Sequence, residues 1–396
     1  MTVGGPFHDR TASLNRKLQW RDWAGYFAAS AYHDHHDIEY AAIREAAALI
    51  DVSPLYKYRI RGPGAVRLVD RVITRDATRI AIGQVVYTCW CDEQGKVLDD
   101  GTVARLDETS FRWTAAEPNL RWISQNARGL DVLVEEISES TAAVALQGPR
   151  SREVLESATQ RSFGDLRYFR RREAKIGRIP IDVSRTGYTG DLGYELWVDA
   201  RRAVALWDAL TEAGRPFGLR AAGMLALDVV RLEAGLILID VDYTSSRRAL
   251  TPAQAYSPFE IGLGRLVSFE KTDFVGRRAL EAERARGGPP RRLVGLELDW
   301  LGIEALHARH GLPPEMSATA WRTHVPLYAG ARQVGRATSG TWSPILKRPI
   351  ALGSVPPSLE APGSRLRIEW TVEAERGLVD ATVAPLPFLD LPRKRA

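Results

Sequence analysis

The sequence predicts an α+β protein of several domains that ends in a small β domain. Three observations carry this reading. A strand-rich region follows the first helix, two further helices follow a second pair of strands, and the residues beyond Arg292 read as strands. The 396 residues allow two to four domains at the usual ~100–200 residues per domain. The stretch Arg284 to Arg292, RARGGPPRR, is basic and rich in Gly and Pro, as a domain linker is.

The elements follow in order. A helix starts after Asp37, with Ile38, Ala41, Ala42 and Ile43 as its apolar face, and runs to about Ile50. Tyr56 to Ile60 alternates as a strand, and Gly62-Pro63-Gly64 turns the chain. Gln84 to Trp90 and Val97 to Val103 read as two strands of a hairpin turned by Asp92 to Lys96, with a third strand at Ser110 to Ala115. Ile179 to Arg185 and Tyr194 to Val198 are strands joined by a Gly-rich turn. Asp199 caps a helix with Ala203, Leu206, Trp207 and Leu210 on one face, and a second helix runs from about Ala221 to Ala234, where Gly235 stops it. Leu293 to Leu298, Arg332 to Thr338 and Leu366 to Trp370 are the strands of the last domain.

Composition narrows the function. Hydrophobic residues at 45% and charged residues at 26% suit a soluble globular enzyme. The most apolar stretch, Gly223 to Ile239, is interrupted by Asp228, Arg231 and Glu233, so nothing reads as a membrane span, and the first residues do not read as a signal peptide. Two cysteines, Cys89 and Cys91, give no disulfide framework, and a cytoplasmic location is expected. The net charge of +5 is too small for a nucleic-acid surface but favours an anionic ligand. The basic triplet Arg393-Lys394-Arg395 reads as a solvated tail.

Several residues are candidates for chemistry. The turn Gly187-Tyr188-Thr189-Gly190-Asp191-Leu192-Gly193 lacks the Lys of a phosphate loop and leads into a strand, so it is not a nucleotide cradle. Glu195 and Trp197 share one face of the strand that follows. They make either a solvated carboxylate beside an amphipathic ring, or a carboxylate and ring at a heterocycle pocket. Asp99 and Asp100 point to opposite faces of their strand, so they form no carboxylate dyad; one of them faces inward, where burial suits it to acid–base or cation-stabilising work. The run Tyr32 to Tyr40, YHDHHDIEY, has the composition of a metal cluster but the spacing of none, and C-x-C at Cys89 and Cys91 reads as a buried strand; no metal is expected. No Gly-x-Ser-x-Gly elbow is present.

The stretch Ser184 to Glu195, SRTGYTGDLGYE, resembles the signature of the T-protein (aminomethyltransferase) superfamily of folate-dependent enzymes. Matching segments follow one another along nearly the whole chain: Asp51-Val52-Ser53, Val144 to Pro149, Val230 to Leu236, Asp273 to Arg277 and Val334 to Pro344. The resemblance implies a three-domain cloverleaf around a central hole that holds tetrahydrofolate, with a barrel-like C-terminal β domain. It divides the chain into residues 1–52 plus 138–283, an inserted domain at 53–137, and 284–396. It implies that Glu195 binds the pterin edge, that Tyr188 and Tyr87 line the folate, and that Asp100 lies near the reacting folate nitrogens.

Departures from the pattern point away from glycine cleavage. Leu227 stands where the T-protein has a folate-contacting arginine, Ala116 where it has an asparagine, and Leu238-Ile239-Asp240 where it has Leu-Tyr-Gly. The expectation is a one-carbon transferase that demethylates a small O-, N- or S-methylated compound. A lipoylated carrier partner is disfavoured, and a non-catalytic relative lacks support because its characteristic cysteine is missing from Arg185 to Asp191. Tyr243, His36 and Asp242 are the candidate proton donors, and Trp20, Trp23 and Trp90 the candidate substrate wall, with His36 beside it.

Overall fold

Alternating apolar residues build a mixed six-stranded sheet, an antiparallel five-stranded sheet, a two-stranded sheet and a closed barrel, in a computed structural model that describes the chain from Met1 to Ala396. The first sheet has six strands in the order Arg171–Ile176, Ile179–Ser184, Gly193–Asp199, Thr141–Gln147, Ala47–Asp51 and Leu219–Ala221. Only the last pair is parallel, with Leu219 opposite Ala47. The helices Ser151–Thr159 and Ala203–Gly214 cover one face, where Leu146, Leu196, Leu206 and Trp207 join a single apolar cluster.

The second sheet has five strands in the order Val85–Cys91, Val97–Arg105, Ser110–Ala115, Tyr56–Arg61 and Leu133–Glu136. Tyr58 and Ile60 alternate inward and pack with Trp90, Phe111 and Trp113 against the helix Ala65–Val72. Beyond Arg292, six strands close into a barrel, in which Arg332–Ser343 is the longest strand at twelve residues. No helix is long and apolar enough to cross a membrane.

Three expectations change. The helix expected to run to Ile50 is Asp37–Glu45, preceded by a short helix at His8–Leu14, and Ala47–Asp51 is a strand inside the six-stranded sheet. Its Ala-Ala-Leu-Ile run is buried on both faces, and a continuous apolar run does not distinguish strand from helix. The later helix is Met224–Glu233, shorter than expected at its start because Leu219–Ala221 pairs with Ala47–Leu49. The C-terminal basic triplet is docked: Arg393 makes two bonds of 2.7 and 2.9 Å to the buried Asp191.

Candidate active site

Asp99 and Asp100 divide as a pleated strand requires. Asp99 is fully buried and accepts bonds from the Asn119 side chain, the Glu117 N–H and the Asp100 N–H at 2.8–2.9 Å. Burial, followed by the charge of Asp100, pushes its carboxyl well above the ordinary range. Asp100 faces the other way, across the strand from Cys89, and so on the same face as Tyr87 two residues along. The Tyr87 hydroxyl donates to Asp100 Oδ2 at 2.6 Å, and the Tyr243 hydroxyl donates to Oδ1. Burial raises Asp100, while the two phenol bonds oppose the rise. Burial, with Asp100 as the next cause, holds both phenols well above their ordinary value.

Tyr243 reaches this face because the segment after the helix Met224–Glu233 is anchored on the barrel. Next to it, Asp242 accepts from Arg231 Nη1 (2.5 Å), Leu238 N–H (2.8 Å), and the Thr338 and Ser339 hydroxyls (2.6 Å each). Four donors occupy both Asp242 oxygens, so its side chain anchors this segment rather than facing Asp100. Arg231 is fully buried, and its Nε and Nη2 make no hydrogen bond within the protein, Nε lying 4.0 Å from Asp228 Oδ1.

The Gly-rich turn of the six-stranded sheet supplies the other side of the site. Gln147 lies under it, bonded to Thr186 O, Tyr194 O and the Thr189 hydroxyl. A Cβ at Gly187 or Gly193 would come within 2.0 or 2.3 Å of the Gln147 amide, so the glycines are required by this packing. The turn aims Tyr188, whose hydroxyl donates to Ile237 O, and leads into Glu195. Thr186 donates to Glu195 Oε2 at 2.6 Å, and Oε1 takes no bond from the protein. Behind Thr186, Ser184 Oγ lies 3.0 Å from its hydroxyl and receives the Trp197 N–H at 3.2 Å. The Arg112 guanidinium stacks 4.2 Å from the Trp197 ring centroid. Burial raises the Glu195 carboxyl, against the Thr186 bond and the Arg112 charge.

The structure thus brings Tyr87, Asp100 and Tyr243 into direct contact and holds Glu195 and Tyr188 on the neighbouring turn and strand. Trp23 and Tyr188 lie against the same apolar cluster, which includes Leu227. Trp90 does not line a substrate wall. It is fully buried, packs edge-on to Trp113 at 4.8 Å, and donates its N–H to Asn119 at 3.0 Å. His36 is buried in a separate cavity, away from Asp100. The strand Ser110–Ala115 ends before Ala116, and the asparagine beside the Asp pair is Asn119. Sequence reasoning missed Thr186, Arg231 and Asn119. For Arg231 the signal was present: a charge in the middle of an apolar helix is almost never buried without a task.

Fold and site together define an α+β protein in which a carboxylate of the five-stranded sheet is held by two phenols, one of them on a segment anchored on the terminal barrel. The chain belongs to the glycine-cleavage T-protein family of folate-dependent one-carbon transferases. Residues 7–271 match the GCVT N-terminal domain, and residues 291–390 match the glycine cleavage T-protein C-terminal barrel domain. The glycine cleavage system aminomethyltransferase T of Bartonella henselae superposes with a TM-score of 0.82 at 25% identity, over 97% of both chains. An aminomethyltransferase of Streptomyces avermitilis is 35% identical over 92% of this chain and 93% of its own. A trimethylamine-oxide aldolase of Ruegeria pomeroyi is 35% identical over all of this chain, which spans about half (48%) of that protein.

Proposed function

We propose that this protein is a tetrahydrofolate-dependent methyltransferase that removes a methyl group from a small O-, N- or S-methylated compound. The observation that carries the reading is the Asp100 carboxylate, gripped by Tyr87 and Tyr243 where the five-stranded sheet meets the segment anchored on the barrel. The residues fit a folate. A pterin edge offers two parallel N–H donors, and Glu195 Oε1 is an acceptor that no protein group uses. Tyr188 and Tyr87 supply rings beside it. When bound, tetrahydrofolate supplies the nitrogen nucleophile that receives the one-carbon unit.

The protein's own groups then do two things. Glu195, braced by Thr186, orients the pterin, which turns a bimolecular encounter into a positioned one. Asp100 places negative charge where positive charge develops on the transferred carbon, and its two phenol donors fix it there before reaction. Tyr243 points its hydroxyl at Asp100 and keeps its proton, so it acts as a positioning residue for that carboxylate.

A small-molecule donor is favoured by Leu227, which replaces a cation with an apolar wall beside Trp23 and Tyr188, and by similarity along the whole chain to a trimethylamine-oxide aldolase. Aminomethyl transfer from a lipoylated carrier is the second reading, favoured by the matched length of the aminomethyltransferases. Incubation with tetrahydrofolate and a panel of methylated amines, aromatic ethers and sulfonium compounds separates the two. Formation of 5-methyltetrahydrofolate from a free compound supports the first. Turnover only with a lipoylated carrier replaces it with the second.

A further inference from the structure

A cavity of about 330 Å³ lies between the helix Asp37–Glu45 and the barrel, apart from the Asp100 site. Trp300 and Trp342 form one corner, edge to face with ring centroids 5.3 Å apart. Tyr40 adds a third ring; its hydroxyl is committed to Glu233 at 2.7 Å, so the cavity meets its ring. Met316 contributes a thioether, and His36 and Asp37 complete the polar edge. Asp37 is 73% exposed, and His36 Nε2 lies 3.9 Å from its carboxylate. No Lys or Arg lines the cavity.

We propose that this cavity binds a methylated ammonium ion. Three aromatic side chains line a cavity suited to a soft cation whose charge is spread over methyl groups, and the rim carboxylate adds attraction with no Lys or Arg beside it and only the His36 imidazole nearby. Anions are disfavoured by the carboxylate, and a purely apolar ligand gains nothing from it. Val229, which lines the cavity, belongs to the helix that also carries Arg231, so the site adjoins the element leading to Tyr243. As a station for the donor it rests on the small-molecule reading above; as a binding site it stands on its own geometry.

Calorimetric titration tests it with tetramethylammonium, choline and the uncharged choline isostere 3,3-dimethylbutan-1-ol. Choline should bind about tenfold tighter than the isostere, and Trp342→Ala or Trp300→Ala should weaken choline about tenfold. Asp37→Asn should weaken it about threefold, and Trp342→Phe should retain most of the affinity, which guards against a merely misfolded alanine variant. Equal affinity for choline and the isostere overturns the proposal, as does unaltered choline binding in a folded Trp342→Ala protein. Tetrahydrofolate-induced thermal stabilisation is followed in the same variants and should be unaffected by the cavity substitutions. Absence of choline binding in the wild type with that stabilisation intact therefore overturns the cavity alone. Absence of folate stabilisation in the wild type overturns the folate reading alone.

Discussion

Replacing Glu195 by Gln should separate its bond to Thr186 from its task at the ligand. Thr186 donates to Oε2 at 2.6 Å, so the glutamine must place its one carbonyl oxygen there and its NH2 at the Oε1 position. A pterin edge presents two donors to that position and would meet a third. One charge-assisted acceptor is lost, a term of roughly 1.5–3 kcal/mol. At about 1.4 kcal/mol per tenfold, tetrahydrofolate affinity should fall roughly 10- to 150-fold. The assay is anaerobic titration calorimetry, backed by the ligand-dependent rise in melting temperature. Adding Thr186→Val frees the amide to turn its oxygen toward the ligand, so the double variant should recover part of the loss. Affinity within about threefold of wild type in Glu195→Gln would refute Glu195 as the reader of the pterin edge.

Asp100→Asn should cut turnover at least about 100-fold while leaving folate affinity nearly unchanged, because the lost charge acts on the transferred carbon. The same change should not lower the melting temperature at neutral pH, since burial holds the Asp100 carboxyl above its ordinary range and the ionised form therefore opposes folding. The pH dependence has a definite sign. A carboxyl raised by folding adds stability below its unfolded pKa and loses it as pH rises through the folded value, so the ligand-free protein should lose the Glu195 and Asp100 contributions above the ordinary carboxylate range. Folate affinity should run the opposite way, falling with pH from a point above that range as Glu195 protonates. Trp90→Phe should cost about 2 kcal/mol of stability, from lost core volume and the Asn119 bond, and leave the KM for every substrate unchanged. Arg393→Ala should cost about 1–2 kcal/mol, discounted because Arg393 is 38% exposed, and should weaken folate binding by loosening the Tyr188 turn.

Legibility in the sequence followed chemistry that is local along the chain. The strand at Ser110–Ala115 and the hairpin carrying Asp100 were readable because period-two alternation and turn residues sit within a few positions of each other. The opposed faces of Asp99 and Asp100 followed from the pleat alone. The strand at Ala47–Asp51 was unreadable because its partners lie near residues 144 and 219, and both faces are apolar. The same distance hid the Thr338 and Ser339 grip on Asp242, 96 and 97 residues away, and the meeting of Trp300 with Trp342. Tryptophan count suggested a ring-lined pocket but could not say which rings, and the structure moved Trp90 into the core.

Arg393 closes a circuit that the chain begins much earlier. Its guanidinium bridges Asp191, in the turn that aims Tyr188, and the carbonyl of Arg44, at the end of the first long helix. Asp191 is otherwise a buried carboxylate with only Arg44 Nη1, at 3.3 Å, as a cationic partner. Arg393 follows every barrel strand in chain order. The turn that aims Tyr188 therefore takes one of its two cationic partners from beyond the barrel and the other from the helix Asp37–Glu45. The strap thus ties a turn of the six-stranded sheet, a helix and the chain beyond the barrel through a single side chain.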